Sequence, residues 1–239
     1  MIAHRHVTTR AIIGVVLGGA TFFGCGLLIK QFAGQMSALA MQWTLKVAMI
    51  VIALLIWRFT GRGWREMGWQ PSRPCRHKWI WYLIAALAMG LATILMILTN
   101  SRHPVAAQLS FPQLIVTIWL LSSISEEIFV RGLVQSWIAA PFEFTPRDRG
   151  WHIVIFASAL LFGGMHVPLI WKGAGPLGGC TIVAATFVLG WAAAEIRARS
   201  GSLLHAIGVH IVGNVAALPF GIIGAIFYRI IYGKLPIPH

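Results

Sequence analysis

Three groups of polar residues sit at helical spacing inside otherwise apolar sequence, and together they have the chemistry to move protons to and from water. The first is Glu126, Glu127 and Arg131, within the apolar stretch 114–140. Glu127 and Arg131 are i and i+4, so they share a helical face and can pair. Glu126 points about 100° away. Arg131 can therefore compensate one carboxylate and leave the other as a candidate general base. The competing reading is that both glutamates bridge helices as ion pairs. The second group is Phe162 and His166, again i and i+4, with Gly163 and Gly164 between them. These glycines suit close approach by a neighbouring helix, and His166 can be a packing residue or a catalyst. The third is His210 and Asn214, which project to one side of their helix. They can be interhelical glue or paired donors to a developing oxyanion.

Hydrolysis is the reaction such a set suggests, and several ways of achieving it are excluded by the sequence. There is no H-E-x-x-H, so the common zincin helix is absent. Asp148 is the only aspartate and falls in an expected loop, which excludes a two-aspartate intramembrane site. No G-x-S-G nucleophile motif occurs. A glutamate and a histidine positioning a water remain, or Glu126, His166 and His210 holding a zinc ion with water in the fourth position.

The elements that must position these residues are membrane helices. The 239-residue chain is 58% hydrophobic and 10% charged, against about 25% charged in an ordinary soluble domain. A charge near the bilayer centre costs at least ~2.5–3.5 kcal/mol and usually faces a bundle interior or a water-filled cavity. Two of the six acidic residues nevertheless stand side by side in one apolar stretch. Candidate spans are 11–29, 40–57, 79–99, 113–140, 151–171 and 177–196, with a last apolar region, 203–232, broken at Pro219. The fold class expected is all-α: a polytopic transmembrane helix bundle of about eight spans, with seven as the alternative. It forms a single integral membrane domain, 1–239, with a motif-bearing core at about 113–218.

The net charge of +13 needs no nucleic-acid partner, because the basic residues cluster between apolar runs. With a cytoplasmic N-terminus, Arg5, Arg10, Arg58, Arg62, Arg65, Arg73, Arg76, Lys78, Arg147, Arg149, Arg197 and Arg199 fall inside, against Lys30, Arg102 and Lys172 outside. Reading 203–232 as two spans adds Arg229 and Lys234 inside and makes both termini cytoplasmic. The first apolar run is too long for a signal peptide and has no clear cleavage site, so it reads as a retained span. Cys25, Cys75 and Cys180 read as free thiols. Lys46 in the second span is expected to snorkel toward an interface, and His205 to be interfacial. Trp64, Trp69 and Trp79, in and beside the basic loop after the second span, are expected at the headgroups.

Taken in order, E-E-x-x-x-R (Glu126, Glu127, Arg131), F-x-x-x-H (Phe162, His166) and H-x-x-x-N (His210, Asn214) resemble the three motifs of the CAAX-protease and bacteriocin-processing (CPBP, or ABI) family of intramembrane glutamic endopeptidases. The resemblance covers 125–214. It implies that Glu126 activates the hydrolytic water, that His166 helps to position it, and that His210 and Asn214 stabilise the oxyanion. Glu127 and Arg131 would support the geometry and Phe162 would pack beside it. No cofactor is implied, zinc being the alternative. The implied partners are the lipid bilayer and a membrane-associated peptide or protein substrate. Small size and the charge bias suit a bacterial inner membrane, where a prenylated substrate is not the expected one. A proton- or cation-coupled transporter and a non-catalytic immunity or scaffold protein are the competing functions; the lack of an inverted repeat counts against the transporter.

Overall fold

The computed structural model describes residues 2–32, 34, 36–101, 103–140 and 149–233. Arg102, Arg147, Asp148 and Lys234, which entered the charge and loop assignments, lie outside them. The elements are α1 (Ile2–Gln31), α2 (Ala38–Phe59), the short α3 (Trp64–Met67), α4 (Trp79–Leu98), α5 (Phe111–Ala139), α6 (Arg149–Gly164), α7 (Gly175–Ser200) and α8 (Leu203–Tyr232). No strand occurs among the described residues. The chain is an all-α polytopic bundle. Hydrocarbon offers no partner to an open backbone group, so each span must satisfy its own N–H and C=O groups. The ends are closed accordingly. Ser37 caps α2 by accepting from the Ala40 N–H, and Ser110 with Gln113 forms a capping box at the start of α5. Gly201 and Gly233 end α7 and α8 in the left-handed conformation.

Seven of these helices, all but α3, are long and apolar enough to cross a membrane. The preferred eight-span reading is therefore corrected. The region 203–232 is one continuous 30-residue helix with Pro219 inside it. Proline removes one N–H, which membrane helices tolerate when a neighbour supports both sides of the defect. That neighbour is α4. Tyr82 of α4 lies against Gly208, and Met89 against Gly213, before Pro219. Gly90 receives the ring of Phe220, and Ile94 and Ile97 pack on Gly224, after it. Both contact series ascend together, so α4 and α8 run parallel. With seven candidate spans among the described residues, the seven-span alternative is the one that fits, and the expectation that both ends are cytoplasmic, which needed eight, loses that support.

Burial is uneven. The apolar windows of α1, α2 and α4 are 11–17% buried, whereas those of α5, α6 and α7 are 50–56% buried. The outer helices present Ile12, Leu17, Leu27, Leu55, Leu83 and Leu91 outward, as lipid-facing side chains should. α5 runs through the centre, touching α1, α2, α6, α7 and α8. Its hydrogen bonding is π-helical over Ile115–Ser122 and Ile128–Gln135, on either side of an α-helical turn Ser123–Glu127. Such i→i+5 segments are rare and tend to mark functional positions. Here they bracket the glutamate pair.

The basic loop after α2 folds back onto the bundle. Met67 is fully buried against Gly132 of α5, the Gly68 carbonyl accepts from the Leu203 N–H at 2.9 Å, and the Arg73 N–H donates to the Ser200 carbonyl at 2.8 Å. Trp64, Trp69 and Trp79 remain exposed. His205 bridges this loop to α4, contacting Ser72 Oγ at 2.9 Å and Tyr82 Oη at 3.1 Å.

Candidate active site

Glu127 and Arg131 are both fully buried, and Arg131 Nη1 donates to Glu127 Oε1 at 2.9 Å, the pair expected from their spacing. Arg131 reaches further than that spacing shows. Its Nη2 donates to the Gly190 carbonyl of α7 at 2.7 Å, and its guanidinium lies 4.4 Å from the centre of the Phe162 ring on α6. Gly190 is needed there. A Cβ on it would come within 3.0 Å of Arg131 Nη2 and 3.1 Å of Phe162. Gly163 has the role expected of it, with Phe187 of α7 only 3.1 Å from where a Cβ would stand, whereas Gly164 faces open space. One node thus ties α5, α6 and α7 together.

Glu127 also accepts from His210 Nδ1 at 2.9 Å. A carboxylate can only accept when ionised, so Nδ1 carries the proton and Nε2 is turned the other way. It faces Glu126, with Nε2 3.9 Å from Oε2. The Phe162 ring stands edge-on to His210, with centroids 5.2 Å apart. Glu126 is buried too, at 5% exposure, and it has a partner that its local sequence does not supply. Lys46 Nζ of α2 hydrogen-bonds to Oε1. Two expectations are corrected here. Lys46 does not snorkel to an interface but turns inward at 8% exposure, because the carboxylate offers more than a headgroup could at this depth. Glu126 is consequently not left without a counter-charge.

His166 follows α6 at the start of the 3₁₀ turn Val167–Ile170. Its Nδ1 lies 2.9 Å from the Phe162 carbonyl. A carbonyl only accepts, so Nδ1 is the donor and Nε2 is free to act. Asn214 Nδ2 donates to the Ile118 carbonyl at 3.2 Å and to Ser123 Oγ at 3.1 Å. The Ile118 carbonyl fixes which end of the amide carries nitrogen, and both Nδ2 protons have acceptors on α5.

Glu126, His166, His210 and Asn214 line one cavity of about 460 Å³, together with Lys46 and His103. Its walls are mostly apolar, including Met89, Met96, Leu114, Ile182 and Leu189, and it extends to the loops at 101–106 and 168–172. His103 belongs to the loop before α5, and its Nδ1 accepts from the Ala106 N–H at 3.1 Å. Burial, reinforced by the nearby imidazole of His166, pushes His103 down to about 4. A neutral imidazole therefore stands at this end of the cavity across the physiological range. Sequence reasoning missed both Lys46 and His103. A lone lysine in mid-span was the available signal for the first; the second, in a polar loop, gave none. Among the described residues, no three His, Cys, Asp or Glu side chains are grouped so as to hold a metal ion.

A fixed carboxylate, two imidazoles each with one nitrogen anchored and the other turned away, and an apolar cavity can bind an extended peptide and activate a water against it. Residues 107–216 match the family model described as Rce1-like, type II CAAX prenyl endopeptidase. That segment contains all three motifs. No curated protein and no solved structure matches the chain.

Proposed function

We propose that this integral membrane protein, which over residues 107–216 belongs to the Rce1-like family of CAAX membrane proteases, hydrolyses a peptide bond of a membrane-associated substrate with a water activated by Glu126. The observation that carries this reading is the convergence of Glu126, His166, His210 and Asn214, from two helices and a turn, on one cavity. Glu126 takes a proton from water as the water oxygen adds to the carbonyl carbon, and the carbonyl π pair moves onto its oxygen. His210, anchored through Nδ1 on Glu127, donates from Nε2 to that oxyanion in its protonated form. Asn214 joins it by releasing the hydrogen bond to Ser123. His166 orients the water through Nε2. Collapse of the tetrahedral species breaks the C–N bond, and the amine leaves with the proton held by Glu126. Water and amide are converted to acid and amine.

The reaction proceeds without metal in this reading. Lys46 already holds one oxygen of Glu126, and an ammonium and a dication compete for the same carboxylate. Chelators should leave cleavage unchanged, and loss of activity restored by zinc would favour the metal version. The cavity reaches the loops at 101–106 and 168–172, while the arginine-rich segments 58–76 and 197–199 stand at the opposite end of the spans. By the positive-inside rule this puts the cavity mouth on the non-cytoplasmic side, in a bacterium the outer face of the inner membrane. In a cysteine-free background, Ser101→Cys should react with an impermeant maleimide in intact cells and Arg65→Cys should not. The reverse pattern would turn the mouth to the cytoplasm. The activity itself is tested with Glu126→Gln on a fluorescence-quenched peptide bearing a farnesylated cysteine three residues from its end, beside its unprenylated counterpart. Wild-type cleavage by a folded Glu126→Gln protein would refute the reading.

A further inference from the structure

Lys46 comes from α2, in the part of the chain that precedes the family-matched segment. It is the buried cation paired with Glu126 in the cavity wall, as Arg131 is with Glu127. A carboxylate has two chemically equivalent oxygens, and rotation about its terminal torsion exchanges them at little cost. At Glu126 the equivalence is broken. Oε1 accepts from the Lys46 ammonium, while Oε2 faces His210 Nε2 at 3.9 Å. That gap is too long for a direct hydrogen bond and leaves Oε2 open to a bridging water.

We propose that Lys46 is a positioning residue for the hydrolytic carboxylate: by holding Oε1 it fixes Oε2, the oxygen on the His210 side, as the atom that takes the proton of the attacking water. This rests on the reading of Glu126 as the base. Lys46 keeps its three protons throughout; the proton shuttles from water to Oε2 and on to the leaving nitrogen. It acts through Glu126 rather than on the substrate. Its effect is on geometry and on the local charge, so it should appear in kcat rather than in KM.

The experiment uses the purified full-length protein in lipid nanodiscs and the two quenched peptides. Lys46→Met should lower kcat by about 100-fold, the scale of a misplaced catalytic group, with KM nearly unchanged. Lys46→Arg, which keeps the charge, should recover at least tenfold of that loss. A second readout needs no turnover. The infrared spectrum of Lys46→Met should gain a protonated-carboxyl band that disappears in Lys46→Met with Glu126→Gln. If Lys46→Met retains wild-type kcat while Glu126→Gln is inactive, the positioning role is overturned and the glutamate mechanism stands. If Glu126→Gln remains active, the reading of Glu126 as the base and the positioning role fall together; if neither peptide is cleaved by wild type, the infrared band decides, and its absence overturns the pairing. Should Lys46→Met fail to accumulate, Lys46→Gln replaces it, and a wild-type kcat in that variant is equally fatal.

Discussion

The surroundings of Glu127 and of Glu126 differ although the two residues are neighbours in sequence. Glu127 is fully enclosed, its Oε1 accepting from Arg131 four residues on and from His210. Glu126 lines a cavity of about 460 Å³ and takes its counter-charge from Lys46, 80 residues earlier. One carboxylate is built into the packing of α5, α6 and α7, and the other is left with an oxygen facing space. Adjacent charges in a membrane helix can thus be set in different surroundings by the helical rotation between them and by the partners that other helices bring.

The largest expected effect breaks the chemical side. Glu126→Gln should lower kcat by about 10²–10⁴-fold, the span of a lost general base, in a protein that still elutes as a folded species in detergent. On the supporting side, Arg131→Met leaves Glu127 buried without its cation. Breaking such a pair costs about 3–5 kcal/mol, to be measured as lost resistance to denaturant in mixed micelles. If Arg131→Met instead loses activity with unchanged stability, the division between the two carboxylates is wrong. Gly190→Val sharpens the same point from the partner helix. It pushes on Arg131 and Phe162, and overpacking of this kind costs about 1–3 kcal/mol. The smallest effect belongs to the cavity's loop end. His103 holds its proton only below about 4, against about 6.5 for an unfolded histidine. Its folded value is the lower one, so protonation favours the unfolded chain. The stabilisation is complete above about pH 6.5 and is lost as pH falls toward 4. An NMR titration of labelled His103 with a midpoint near 6.5 would contradict it, and His103→Gln should flatten that part of the stability profile.

The supporting node was legible in sequence because its first contact is local: Glu127 and Arg131 pair at i, i+4 as their spacing predicts. The spans were legible for the same reason, being runs of apolar residues of bilayer length. What sequence did not disclose depends on distant partners. Lys46 looked like an interfacial lysine because nothing near it in sequence calls it inward; only the folding of α2 against α5 brings Glu126 within reach. Pro219 looked like a break because local propensity says so, and α4, packed along both sides of it, overrides that propensity. The π-helical turns of α5 have no sequence signature that the glutamate spacing reveals, since the i, i+4 pair survives inside them.

The 80-residue separation between Lys46 and Glu126 also sets an order of events during synthesis. Chains emerge at about 5–20 residues per second, so Lys46 is made roughly 4–16 seconds before its acidic partner exists. During that interval the ammonium has no counter-ion inside the bundle, and placing it at mid-bilayer would cost at least about 2.5–3.5 kcal/mol. The second helix must therefore wait with its lysine in the insertion channel or stretched to a headgroup, and it can settle to its final depth only when the fifth element arrives. The residue pair that lines the cavity thus also couples the settling of α2 to the arrival of α5.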